Sequence, residues 1–86
     1  MDLSEGQLKI LKIVAEKSAR NPDISVFDIA VIQESGLPTD EANTYLGQLQ
    51  GLGLVKLDIK VSGADVRLMH ITKEGLDVTS QNQGLR

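Results

Sequence analysis

The sequence predicts an α+β domain in which three helices precede a β-hairpin and a short closing helix. Three observations predict it. Apolar residues recur at helical spacing in segments that end before Gly53. The period then drops to two, with Val55, Leu57, Ile59 and Val61 alternating with Lys56, Asp58 and Lys60. Gly and Pro punctuate the joins, at Asn21-Pro22, Gly36-Leu37-Pro38 and Gly51-Leu52-Gly53.

The first helix starts at Ser4. Ser4 and Gln7 match a capping box, in which each side chain satisfies the other residue's free backbone N–H, and Leu3 and Leu8 sit at the hydrophobic-staple positions. Leu8, Leu11, Val14, Ala15 and Ser18 share a face that Ile10 and Ile13 flank. At 100° per residue these positions span roughly 220°, wider than a surface helix needs. Two readings stay open. Either the helix is sandwiched between the core and the C-terminal segment, or Ile10 and Ile13 form a dimer contact.

The second helix is expected to start at Ser25, with Ser25 and Asp28 as a second capping box and Ile24 and Ile29 as its staple. It runs to about Glu34, and Gly36 suits a left-handed cap. In the third helix Thr39 is the expected N-cap, and Asp40 and Glu41 complement the positive end of the dipole. Ala42, Tyr45, Leu46, Leu49 and Leu52 fall within an arc of roughly 120°, a core stripe.

The hairpin loop is Ser62-Gly63-Ala64-Asp65, with Gly63-Ala64 suited to a type II′ turn. Val61 then faces Val66, Ile59 faces Leu68 and Leu57 faces His70. On the other face Lys60 meets Arg67, Asp58 meets Met69 and Lys56 meets Ile71. Lys56, Lys60 and Arg67 are thereby expected on one face. The last helix is capped by Thr72, stapled by Ile71 and Leu76, and weakened by Gly75. The domain is expected to span 1–79, with a frayed polar tail over 80–86.

Composition excludes several function classes. The chain has 86 residues, no Cys and one His, His70, which rules out thiolate chemistry and a His-based metal cluster. No apolar run approaches ~20 residues, and no secretory signal is visible, so a cytoplasmic protein without a membrane partner is expected. Phe27 and Tyr45 are the only aromatic residues, too few for base-stacking platforms. Nine Lys and Arg against twelve Asp and Glu give a net charge of -3, unlike a globally basic nucleic-acid binder. No enzyme and no cofactor are expected. The Ser residues sit at caps and turns, and His70 is placed on the apolar hairpin face. Gly51-Leu52-Gly53 ends a helix and leads into a strand, the reverse of a dinucleotide site.

The order of elements resembles the winged helix-turn-helix family over about residues 4–79. Ile29-Ala30 and Gly36-Leu37-Pro38-Thr39 match its helix and turn. Tyr45 to Val55, through Gly51-Leu52-Gly53-Leu54, looks like its passage from recognition helix to wing. Ile71-Thr72-Lys73-Glu74-Gly75 looks like the segment after the wing in MarR-like and PadR-like regulators. The resemblance implies a three-helix core, a two-stranded wing and a short C-terminal helix. It further implies a DNA-binding transcription regulator, with the third helix (39–52) in the major groove and the wing (54–71) on the phosphate backbone.

The outward face of the third helix is then Asp40, Asn43, Thr44, Gly47, Gln48, Gln50 and Gly51. Asn43, Gln48 and Gln50 carry amides that suit base edges, and Thr44 suits a phosphate or a thymine methyl. Lys56, Lys60 and Arg67 are the expected phosphate contacts. Like charges facing each other across a strand pair cost stability, so Lys60 and Arg67 either hold an anion between them or splay apart. Between Thr39 and Gly53 there is no Lys or Arg. That absence, with Gly47 and Gly51 leaving a bare strip, supports an alternative: an interaction module that docks a protein through the third helix and does not bind DNA. The partners to be weighed are therefore double-stranded DNA, a second copy of the chain and another protein.

Overall fold

A computed structural model describes residues 3–60 and 66–83, with the backbone alone at 59–60 and 81–83. The order is α1 (Glu5–Lys17), β1 (Val26–Phe27), α2 (Asp28–Ser35), α3 (Thr39–Gly51), β2 (Val55–Lys60), β3 (Arg67–Ile71) and α4 (Lys73–Gln83). The expected hairpin loop, its type II′ turn and the Val61–Val66 pair lie outside the described residues.

Helix α1 starts on the expected capping box. Ser4 Oγ accepts from the Gln7 N–H at 3.2 Å, and Gln7 Oε1 accepts from the Ser4 N–H at 3.0 Å. The wide apolar arc is core on all of its width. Ile10, Leu11 and Val14 are 0% exposed and Ile13 is 7% exposed. Helices α2, α3 and α4 and strand β3 all pack on α1. Burial of Ile10 and Ile13 within the single chain decides between the two readings, and the dimer contact through them is set aside.

At its C-terminus α1 turns on two non-glycine residues with positive φ, Ala19 (54°) and Arg20 (58°). Such backbone costs on the order of 1–3 kcal/mol per residue. The turn aims the Arg20 guanidinium at α4, where Nη1 donates to Thr79 Oγ1 at 3.2 Å and Nη2 donates to the Leu76 carbonyl at 3.1 Å. These charge-assisted bonds offset part of the strain.

The second helix starts later than expected. Val26 and Phe27 form β1, which pairs antiparallel with β3 at Val26↔Met69 and Phe27↔Leu68. The sheet is therefore three-stranded, in the order β1-β3-β2, and not a bare hairpin. The Ser25–Asp28 box does not form: Phe27 is the N-cap, with no side-chain cap bond. Asp28 Oδ1 instead accepts from the Ile29 N–H at 2.7 Å and from the Arg67 N–H at 3.0 Å. Branched and aromatic side chains favour extended backbone, and the open edge of β3 gives their backbone groups partners.

Gly36 closes α2 in the left-handed conformation, as expected, with φ of 71°. Thr39 is the first residue of α3 and not its cap; Pro38 is the N-cap, and its carbonyl accepts from the Ala42 N–H at 2.9 Å. Ala42, Leu46 and Leu49 are buried and Tyr45 is half-buried. Leu52 leaves the stripe: it caps the helix and is 44% exposed.

The hairpin register slips by one residue along its length. Lys60 faces Arg67 as expected, but nearer the core Val55 faces Ile71, Lys56 faces His70 and Leu57 faces Met69. The irregularity that absorbs the slip lies between Leu57 and Lys60. Core packing sets the inner register, because Val55, Met69 and Ile71 are all buried and a one-residue shift would turn one strand inside out.

Helix α4 covers 11 residues and continues to Gln83, past the expected boundary at Thr79. Thr72 caps it as expected, accepting from the Gly75 N–H at 3.0 Å, while its own hydroxyl donates to the Gly53 carbonyl at 2.7 Å. Gly75 is there because α4 presses on the chain leaving α3. A Cβ at that position would stand 2.2 Å from the Leu54 carbonyl oxygen and 2.8 Å from Ile71 Cγ1. Gly75→Ala should therefore destabilise the fold by about 1–3 kcal/mol, read as a lower urea midpoint. Gly47→Ala, where a Cβ meets nothing within 4 Å, should stabilise it by about 1 kcal/mol.

Candidate nucleic-acid interface

Helix α3 is held from behind and open in front. Its buried stripe rests on α1 and α2, and α2, Gly36 and Pro38 set the angle at which it leaves the core. Asp40, Asn43, Thr44, Gly47, Gln48, Gln50 and Gly51 are all exposed, as expected of the outward face. The acids sit at the N-terminal turn, where they complement the helix dipole.

Several of these side chains are already engaged. Gln48 Oε1 accepts from Gln7 Nε2 at 2.7 Å, which ties the capping box of α1 to the open face of α3. Gln50 Oε1 accepts from the Leu57 N–H at 2.8 Å and so clamps the root of β2 to α3. Thr44 Oγ1 donates to the Asp40 carbonyl at 3.0 Å. Gln7 and Asp28 escaped the sequence reading as site residues because their partners, Gln48 and Arg67, are remote in the chain. The local pattern around Gln7 reports its cap and no second bond.

The expectation that Lys56, Lys60 and Arg67 share one face is corrected by the register. Side chains alternate along β3, so Arg67 takes the face of Met69 and Ile71, and His70 takes the other with Leu68. Lys56 faces His70 and therefore lies on the sheet face opposite Arg67. Lys56 and Arg67 are exposed, and Lys60 keeps Arg67 as its cross-strand partner. His70 does not sit beside Leu57: its Nδ1 lies 3.3 Å from Asp58 Oδ2.

Around the sheet edge Ile24, Phe27 and Ile29 are 41%, 50% and 45% exposed. Among the described residues no group of three or more His, Cys, Asp or Glu side chains could hold a metal ion. No described helix is long and apolar enough to cross a membrane.

No protein-family model matches the sequence, and comparison with curated proteins gives no match. Solved structures do match. ZitR of Lactococcus lactis, a zinc-responsive MarR family member, gives a TM-score of 0.75 at 18% identity, over 96% of this chain and 53% of its own. AF1382 of Archaeoglobus fulgidus gives 0.79 at 13% identity, over 96% of this chain and 86% of its own. RosR of H. salinarum gives 0.75 at 19% identity, over 95% of this chain and 72% of its own. The fold is a MarR-like winged helix. The chain spans about half the length of ZitR, and ZitR has also been solved in complex with DNA.

Gln50 joins α3 to β2. Gln50→Ala should lower stability by about 0.5–1.5 kcal/mol and speed hydrogen exchange at the Leu57 amide, measured by NMR. An unchanged Leu57 exchange rate overturns the clamp.

Proposed function

We propose that the chain is the sequence-specific DNA-binding winged-helix domain of a transcription regulator. The observation that carries this reading is the exposed, amide-rich face of α3, with a wing beside it on which Lys60 faces Arg67. Asn43, Thr44, Gly47 and Gln48 would enter the major groove, and Lys56, Lys60 and Arg67 would meet phosphates. The ZitR complex with DNA, which shares the fold at a TM-score of 0.74, supports it.

The absence of Lys and Arg from α3 sets a quantitative expectation. Phosphate attraction falls to the wing, and log affinity falls with log salt by about 0.9 per phosphate neutralised. Fluorescence anisotropy on mixed-sequence duplex DNA should show salt-dependent binding with a slope no steeper than about -3 per chain. Lys60→Ala and Arg67→Ala should each reduce that slope by about 1 and weaken all sequences alike. A folded chain that fails to bind at low salt sinks the DNA reading.

One observation favours a second reading, that of a protein-docking module. Asp40 and Glu41 are exposed on α3, and ideal Cβ atoms at Gly47 and Gly51 meet nothing within 4 Å. The surface is acidic and bare enough for a partner helix to approach closely. On this reading Gly47→Leu abolishes capture of the partner in a pull-down while Lys60→Ala and Arg67→Ala leave it intact. The reverse pattern, with capture lost only in the wing variants, counts against it.

A further inference from the structure

The hydrogen bonds from α1 and β2 to the exposed glutamines of α3 orient the amides these residues offer a ligand, and the consequence rests on the DNA-binding reading above. The orientation of each amide follows from donor chemistry alone. The Ser4 backbone N–H can only donate, so the Gln7 atom 3.0 Å from it is Oε1. Gln7 therefore turns Nε2 toward Gln48, and an NH2 group can only donate. Gln48 must meet it with Oε1, at 2.7 Å. The Leu57 N–H fixes Gln50 Oε1 in the same way, at 2.8 Å. In both glutamines one of the oxygen's two lone pairs is taken by the protein, which directs the NH2 group, the other arm of the amide, away from that partner.

That changes what Gln48 can read. An amide recognises adenine at two points only if its oxygen accepts from N6 while its nitrogen donates to N7. Gln48 has its oxygen held against α1 and presents donors. The base edge richest in acceptors in the major groove is that of guanine, with N7 and O6, whereas cytosine offers a donor at N4. We infer that Gln48 is a specificity-determining residue selecting guanine and rejecting cytosine, and that Gln7 is the positioning residue that sets this preference from α1. Asn43, exposed on the same helix, is left as the amide suited to adenine.

The capping box supplies a clean test. In Gln7→Glu the carboxylate still accepts the Ser4 N–H, and Glu is a usual residue at that capping position. It has no donor for Gln48, so Gln48 must turn its NH2 group inward and swing Oε1 out. Selection from a random duplex pool should enrich guanine over cytosine by about tenfold at one position with the unaltered chain. Gln7→Glu should move that same position to a base with an exposed amino donor, cytosine or adenine. Gln48→Met, which leaves the cap untouched, should flatten that position and no other. Thermal melts by circular dichroism confirm that each variant is folded.

A Gln7→Glu variant that still selects guanine, or a Gln48→Met variant that alters no position, overturns the inference while the DNA-binding reading stands. Failure of the unaltered chain to bind any duplex overturns both.

Discussion

Everything in this small domain hangs on one helix being buried from several sides at once. Helices α2, α3 and α4 and strand β3 all pack on α1, whose Ile10, Leu11, Ile13 and Val14 are buried in the core. Burying such a side chain is worth about 1.5–3 kcal/mol, and a chain of 86 residues has little else from which to build a core. The two ends of α1 are fastened accordingly. At the front the Ser4–Gln7 box satisfies backbone donors; at the back a strained turn swings Arg20 onto α4. The open face of α3 exists because its opposite face is committed to α1.

How much of this was legible in the sequence depended on distance along the chain. Helices α1 and α3 announced themselves through uninterrupted periodicity, and the capping box of α1 through residues three positions apart. Strand β1 did not, because two residues carry no period and their partner, β3, lies far downstream. The local pattern Ser25–Asp28 even argued for the wrong structure there. The hairpin shows the same limit. Its alternation from Val55 to Val61 is unbroken in the sequence, so nothing in it reports an irregularity between Leu57 and Lys60. That slip comes from fitting Val55, Met69 and Ile71 into a core that the helices have already shaped.

The candidate site divides along the same line. Exposure of Asn43, Thr44, Gly47 and Gln48 follows from the position of the buried stripe. Engagement of Gln48 by Gln7 and of Gln50 by Leu57 does not, since those partners stand 41 and 7 residues away. The electrostatic picture is also a product of the fold. Simple alternation puts Lys56 and Lys60 on one face, and the slip separates Lys56 from Arg67 across the sheet. Charge on the wing is thus spread around it, while α3 offers hydrogen-bonding groups with no cation among them.

The order β1-β3-β2 leaves two strands with one unpaired side each. Unpaired strand edges are templates on which a second molecule can add its own strand and begin a fibril. On one side β1 offers only Val26 and Phe27, too short a row to hold a visitor. On the other, β2 places Lys56, Asp58 and Lys60 at alternate positions and breaks its regular pairing between Leu57 and Lys60. Charge and irregular backbone both disfavour edge-to-edge addition. The same residues that shape the wing also make the sheet finite, so that growth by strand addition stops at the boundaries of a single chain.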